Sequence, residues 1–456
     1  MNGIKIITHA TLVRWTKPNE ILNDSALVIE NGKIADFGPS AELEARYPLA
    51  DRWDARGQLL MPGNICAHTH FYGMYARGLA VPGPAAENFS QILKTLWWPL
   101  DQALDEEAVR LSTRVCLADA IRHGTTTLFD HHASPNFLTG SLNAIAQEVE
   151  KSGLRATLCY EVTDRYGEEK MRAAIAENVD FIRKTADGKR PTLRGVMGLH
   201  APLTVSTATL AACVAAADAL DTGLHLHVSE SLDDGYAALT PDKGFMPPVD
   251  WLAHNGALGP KSIAAHAVQI DEREIQLLAE TQTWVTHQPR SNMNNAVGVT
   301  EVEQMLDRGV HVCLGNDGFS NAMWAEWNAA YLLHKIHHED PRRMDASRVV
   351  EMAIDNNAAL TQTFFPEAPI GVIEKGAAAD LILVDYQPPT PLTAGNLPWH
   401  ILFGFREGMV TATIVNGKIL MKDRQLLTLD ETEIAAQARA YAPKVWETYR
   451  KIAENQ

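Results

Sequence analysis

From about residue 63 the chain alternates short apolar runs with longer amphipathic stretches. The apolar runs are TTTLFD, RATLCYEV, LRGVMGLHA, TGLHLHVSE, SIAAHAV, TWVTHQ and HVCLGND, separated by stretches such as DEEAVRLSTRVCLADAIRHG and DEREIQLLAETQ. Apolar runs of this kind read as buried strands, and the longer stretches read as amphipathic helices. Strand then helix, repeated without a long structureless gap, predicts parallel strands in a (β/α)8 barrel. The two ends of the chain follow another pattern. IKIITHATLV, SALVIENGKIADFG and GQLLMPG at the start, and IGVIEKGAAADLILVDY and MVTATIVNGKILMKDRQLL near the end, read as short strands with turns. Asn31-Gly32 and Asn416-Gly417 each give a two-residue hairpin signal. The expected architecture is α/β: a small β-sandwich domain built from residues 1–62 and 369–428, a catalytic barrel over 63–368 that interrupts it, and a tail at 429–456 that is helix-like apart from Pro443.

Composition changes this picture only at its margins. A chain of 456 residues can bury a large core as two or three units, or fewer if one is a barrel. A formal charge of −16 argues against nucleic acid or an anionic membrane as a partner, because phosphate rewards the opposite sign. The five cysteines are scattered with no CxxC spacing, so neither a disulfide framework nor a thiolate zinc site is indicated. No apolar segment approaches the length of a membrane span, and a cytoplasmic setting is expected.

Chemistry concentrates at the ends of the strand-like runs. In NICAHTHFYG, His68 and His70 stand one residue apart, which on a strand puts both imidazoles on one face. His227 from GLHLHVSE, His266 from SIAAHAV and Asp317 from LGNDG occupy similar positions, where a barrel keeps its active site. Three of these histidines with the one carboxylate suit one divalent metal, Zn²⁺ or Fe²⁺, with a position open for water. Glu230 follows His227 by three residues and is placed to donate a proton to a ring nitrogen of a substrate. His225, two residues before His227, reads as a satisfied interior histidine one layer down.

At these residues the chain resembles the amidohydrolase superfamily, in particular its aminohydrolase branch of cytosine, guanine and methylthioadenosine deaminases and triazine hydrolases. HFYGMYARGLA, TLWWPLDQALDEE, FDHHASPNFLTGSL, HQPRSNMNNAVG and KGAAADLILVD carry the likeness over nearly the whole length. The resemblance implies His68, His70, His227 and Asp317 as metal ligands. It implies Glu230 and His266 as acid/base and water-orienting or carbonyl-polarising groups, with Asp317 taking the proton of the water. His200, before Ala-Pro, would contact substrate. The absence of a lysine at the position carbamylated in binuclear members implies a single metal, and the resemblance also implies a homodimer or higher homo-oligomer. Nucleoside-acting relatives have a glutamate where this chain has Asp101, so the shorter carboxylate points to a free base or another small heterocycle. Tyr72, Trp97 and Trp98 are candidates to stack on it.

In HQPRSNMNN, Arg290, Asn292 and Asn295 read as loop polar groups, with Arg290 the one expected to reach substrate. Asp130, His131 and His132 would either line the barrel mouth or cap the following helix. The leading expectation is hydrolytic deamination of a nitrogen heterocycle with release of ammonia. Ring opening of a cyclic amide or displacement of chloride from a triazine needs the same activated water and stays open, as does a catalytically silent metal-binding protein.

Overall fold

The apolar runs in the middle of the chain become strands buried along their whole length, as strands covered on both faces must be. In the computed structural model, which describes residues 4–455, these are β1 (Asn64–Thr69), β2 (Thr125–His132), β3 (Arg155–Tyr160), β4 (Leu193–Gly195), β5 (Met197–Gly198), β6 (Leu224–Val228), β7 (Ile263–His266), β8 (Trp284–His287) and β9 (Val312–Leu314). All pairings are parallel, in two sheets of order β1-β2-β3-β4 and β5-β6-β7-β8-β9. The sheets meet at both edges. Thr69 bridges Asp317 in parallel, and the amides of Asn316 and Asp317 both donate to the His68 carbonyl at 3.0 Å. On the other side β4 runs on into β5 across Val196 alone, and Val162, just past β3, bridges Leu199, just past β5. A Cβ on Gly315 would lie 2.8 Å from the His68 carbonyl oxygen, so only glycine lets the chain beyond β9 come this close to β1.

The helices between strands start and stop on local signals. Asp105 caps Glu106–His123 by accepting the Ala108 amide, and Gly124, left-handed at φ 73°, ends it. Asp271 and Glu274 close a capping box at the head of Glu272–Glu280.

Strands from the two ends of the chain share one nine-stranded sheet, joined where Leu59–Pro62 pairs antiparallel with Leu381–Val384. Both expected hairpins form, with Glu30 opposite Lys33 and Val415 opposite Lys418. Asn31, Gly32, Asn416 and Gly417 all have positive φ, as this turn requires. The two turns pack on one another: a Cβ on Gly32 would come 2.4 Å from Asn416 Oδ1.

The C-terminal helix Glu431–Ala453 runs unbroken through Pro443, where an interruption was expected. A proline inside a helix removes a backbone donor. Here docking holds the helix: Trp446 Nε1–H donates to the Tyr75 carbonyl at 2.9 Å and the Tyr449 hydroxyl to the Thr95 carbonyl at 2.6 Å. Those partners belong to the segments that carry Tyr72 and Trp97, so the tail backs one wall of the cavity described below. Among the described residues no helix is long and apolar enough to cross a membrane, and all five cysteines are buried and unpaired.

Candidate active site

The ends of β1 and β6 and the turn after β9 bring four metal-type ligands together. Ligand atoms of His68, His70, His227 and Asp317 all lie within 4.8 Å of one another. His70 Nε2 is 2.9 Å from Asp317 Oδ1 and 3.2 Å from His227 Nε2. Backbone carbonyls set the tautomers, since a carbonyl only accepts. His70 Nδ1–H donates to the His131 carbonyl at 2.6 Å and His227 Nδ1–H to the His200 carbonyl at 3.0 Å. Both Nε2 atoms therefore face the same point. His68 Nε2 is fully buried without a hydrogen-bond partner among the described residues, 3.7 Å from Asp317 Oδ1. Burial opposes charge on His70, yet the Asp317 carboxylate outweighs it and lifts the imidazole to about 9, while burial pushes His68 down to about 3. The group thus calls for positive charge at its centre, and its donor set fits a divalent cation.

Glu230 and His266 complete the arrangement. Glu230 Oε2 lies 3.4 Å from His266 Nε2, and Oε1 accepts from Asn295 Nδ2 at 3.3 Å. Burial, then the negative charges of Asp317 and Asp234, holds the Glu230 carboxyl well above the usual carboxylate range, which favours its acid form. Burial lowers His266, which stays neutral. His266 Nδ1 is 2.9 Å from Asn292 Oδ1, so it donates there and Nε2 is left bare. The backbone is strained at these turns: Ser229, His266, Ala267 and Asp317 have φ of 48°, 75°, 48° and 57°. Left-handed conformations at four non-glycine residues are a cost that aims these side chains inward.

A cavity opens over this group, lined by His70, His227 and Asp317 and by Glu230 and Asn295. Of the residues expected to meet substrate, His200, Asp101, Trp98 and Tyr72 all line it, with Trp97 beside them. Arg290 does not. Its guanidinium is spent on the Glu326 carboxylate and on the Ser320 carbonyl and hydroxyl. HQPRSNMNN supplies not a loop but the helix Pro289–Asn295. Ser291, Asn292 and Asn295 fall on the face toward the site, contacting Asp317, His266 and Glu230, and Arg290 points elsewhere.

Asp130, His131 and His132 are the last residues of β2, neither a cap nor a rim, and all are buried. Asp130 accepts the Phe71 amide at 2.8 Å, His131 Nε2 reaches the Leu199 carbonyl at 2.9 Å, and His132 pairs with the Ser134 hydroxyl at 2.8 Å. His225 is more than an interior histidine: its Nε2 lies 2.9 Å from His68 Nδ1 and so fixes a ligand from behind. Sequence reasoning missed Glu161, Arg165 and Asp234. Glu161 directly follows β3 as a strand-end acid, the same signal that singled out Glu230.

The amidohydrolase family model matches residues 59–420, and an imidazolonepropionase-like composite domain of bacteria matches residues 26–50. A 5′-deoxyadenosine deaminase of Methanosarcina mazei is 31% identical over 444 residues, covering 96% of this chain and 98% of that protein. A 5-methylthioadenosine/S-adenosylhomocysteine deaminase of Pelotomaculum thermopropionicum is 30% identical over 447 residues, with 96% and 98% covered. The crystal structure of an adenosine deaminase from Xanthomonas campestris with bound zinc superposes with a TM-score of 0.83 at 27% identity, over 96% of this chain and 98% of that one. With the family model spanning most of the chain and relatives aligned over nearly all of it, the chain belongs to the amidohydrolase family.

Proposed function

We propose that the protein is a metal-dependent hydrolytic deaminase that replaces an exocyclic amino group of a nitrogen heterocycle with oxygen and releases ammonia. The observation that carries this reading is the buried Glu230 carboxyl facing the same cavity as His70, His227 and Asp317, where burial favours its acid form. A purely structural metal site needs no such acid. The names of the two curated relatives, both deaminases, and the zinc in the Xanthomonas enzyme support it. So does the meeting of the two parallel sheets, which we read as one closed eight-stranded barrel over 63–368, β4 and β5 being one strand interrupted at Val196, with the nine-stranded sheet as a separate β domain from 1–62 and 369–428.

A divalent cation, zinc first among candidates, would be held by His68, His70, His227 and Asp317 and would supply the Lewis acidity that brings water toward deprotonation at neutral pH. The chain's own groups do the rest. Asp317 takes a proton from the attacking water. His266, donating from Nδ1 to Asn292, offers its bare Nε2 to accept the water's other hydrogen, which favours orienting the water over holding an oxyanion. Glu230 gives its proton to the ring nitrogen next to the amino-bearing carbon. The carbon–nitrogen bond then breaks: the amine leaves as ammonia with the proton held by Asp317, and the hydroxyl proton of the intermediate passes to the Glu230 carboxylate as the carbonyl forms, restoring the acid.

Adenine nucleosides modified at the 5′ position are the first substrates to test because of the relatives, and free bases the second because of Asp101. The test is ammonia release by zinc-loaded protein from 5′-deoxyadenosine, methylthioadenosine, adenosine, adenine, guanine, cytosine and an aminotriazine. Stoichiometric metal with no ammonia from any of them would refute the reading. The homodimer is part of the same proposal, and sedimentation of the purified protein tests it.

A further inference from the structure

One wall of the cavity is acidic without belonging to the metal group. Asp101 and Glu161 both line it, only 2% and 3% exposed. They share one cation. Arg165 pairs with Glu161 Oε1 and stands 3.8 Å from Asp101 Oδ2, its guanidinium held 4.8 Å from the Trp98 ring centre. Asp101 Oδ1 is buried with no hydrogen-bond partner among the described residues. Glu161 Oε2 faces His131 Nδ1 at 3.7 Å, too far for a hydrogen bond. Burial, and then the charge of Glu161, raises Asp101 well above the usual carboxylate range, and burial raises Glu161 against the pull of Arg165; two acids sharing one guanidinium, with Asp101 Oδ1 unmatched, are costly to bury unless a donor meets them. Tyr72, Trp97 and Trp98 line the same cavity and offer ring surface of the kind that attracts cations.

We propose that Asp101 and Glu161 form a specificity wall that accepts a positively charged, N–H-bearing substituent of the substrate and rejects substrates carrying a carboxylate or phosphate. The inference rests on the cavity being the substrate site of the proposed deaminase and names the class of heterocycle it takes. An ammonium would supply the donors that Asp101 Oδ1 and Glu161 Oε2 lack, as a charge-assisted hydrogen bond in a site sheltered from water. An anion would compete with two acids for the one guanidinium and would leave Asp101 Oδ1 unmatched.

The test is calorimetric titration of zinc-loaded, full-length Glu230→Gln protein, chosen to slow turnover, with three probes that share one ring: 5′-amino-5′-deoxyadenosine, 5′-deoxyadenosine and adenosine 5′-monophosphate. The expected order is amino tightest and phosphate weakest, separated by about a hundredfold in Kd. Adding Glu161→Gln or Asp101→Asn should narrow that span by about tenfold each while zinc content stays unchanged. Amino and phosphate probes binding within about threefold of each other, or a span that survives both substitutions, overturns the proposal. So does failure of all three to bind, and so does loss of zinc in the variants, which would assign these acids to the metal. Ammonia release by the wild-type protein from an uncharged heterocycle is read separately, so the deaminase can stand where the wall fails.

Discussion

Removing His225 should weaken metal binding without touching a ligand. Its ring and that of His68 are fully buried, with Nε2 of one 2.9 Å from Nδ1 of the other. For His68 to present Nε2 to a cation, its Nδ1 must carry the proton and donate to His225. Burial, reinforced by the charge of neighbouring histidines, holds His225 well below its ordinary range, so it is neutral and can accept. Its own proton then sits on Nδ1, 3.8 Å from the Cys159 sulfur. His225→Leu deletes the acceptor and leaves the His68 N–H buried and unpaired. An unmatched buried donor costs about 1–3 kcal/mol, which is roughly a five- to hundredfold rise in the zinc Kd. Substitutions behind metal ligands commonly cost about 10–100-fold, the same range. Competition against a chelator of known affinity measures this, with a melting curve to establish that the variant is folded. His225→Asn, whose side-chain oxygen can accept the same hydrogen, should recover part of the loss. A folded His225→Leu protein with wild-type zinc affinity, or equal losses in the Leu and Asn variants, would refute the tautomer argument.

Glu230→Gln should keep its zinc and lose about 10²–10⁴ in kcat, the usual worth of a positioned acid; elemental analysis and ammonia release together check it, and near-wild-type turnover rejects the role. The Glu230 carboxyl is held up by burial and then by Asp317 and Asp234, so activity should fall as pH rises through its value and the acid is lost. Asp234→Asn removes one of those negative charges while keeping an oxygen for the Glu230 amide, so the alkaline limb of the rate profile should move to lower pH; a limb that stays put or moves up contradicts the assignment. Asp380 pairs with Arg155 Nε at 2.9 Å, both side chains almost fully buried, and ties β3 to the nine-stranded sheet. Asp380→Asn should cost about 3 kcal/mol because Arg155 is left without its counter-charge, and an unchanged denaturation midpoint would rule that out.

The metal group was legible because strand geometry is simple. Two residues apart on a strand means one face, so His68 and His70 had to converge, and His227, His266 and Asp317 follow apolar runs that end at the same rim of the sheets. The same rule explains β2, where consecutive residues cannot share a face. His131 reaches the backbone of Leu199 and His225, while His132 turns to Ser134. What could not be read was which polar residues of a short segment face inward once its secondary structure was misjudged. Treated as loop, HQPRSNMNN made Arg290 the attractive choice because it is long and charged. Wound as a helix, the segment presents residues 291, 292 and 295 together, and the argument for Arg290 disappears because Glu326 neutralises it from behind. Glu161 shows the opposite failure. Its position after RATLCY carried the same strand-end signal as Glu230, but a lone acid without a histidine nearby in sequence has nothing to converge with until the sheets bring Asp101, Arg165 and His131 around it. Ligands that pair within one strand are visible in a sequence; a wall assembled from three separate segments becomes visible only when the fold places its charges side by side.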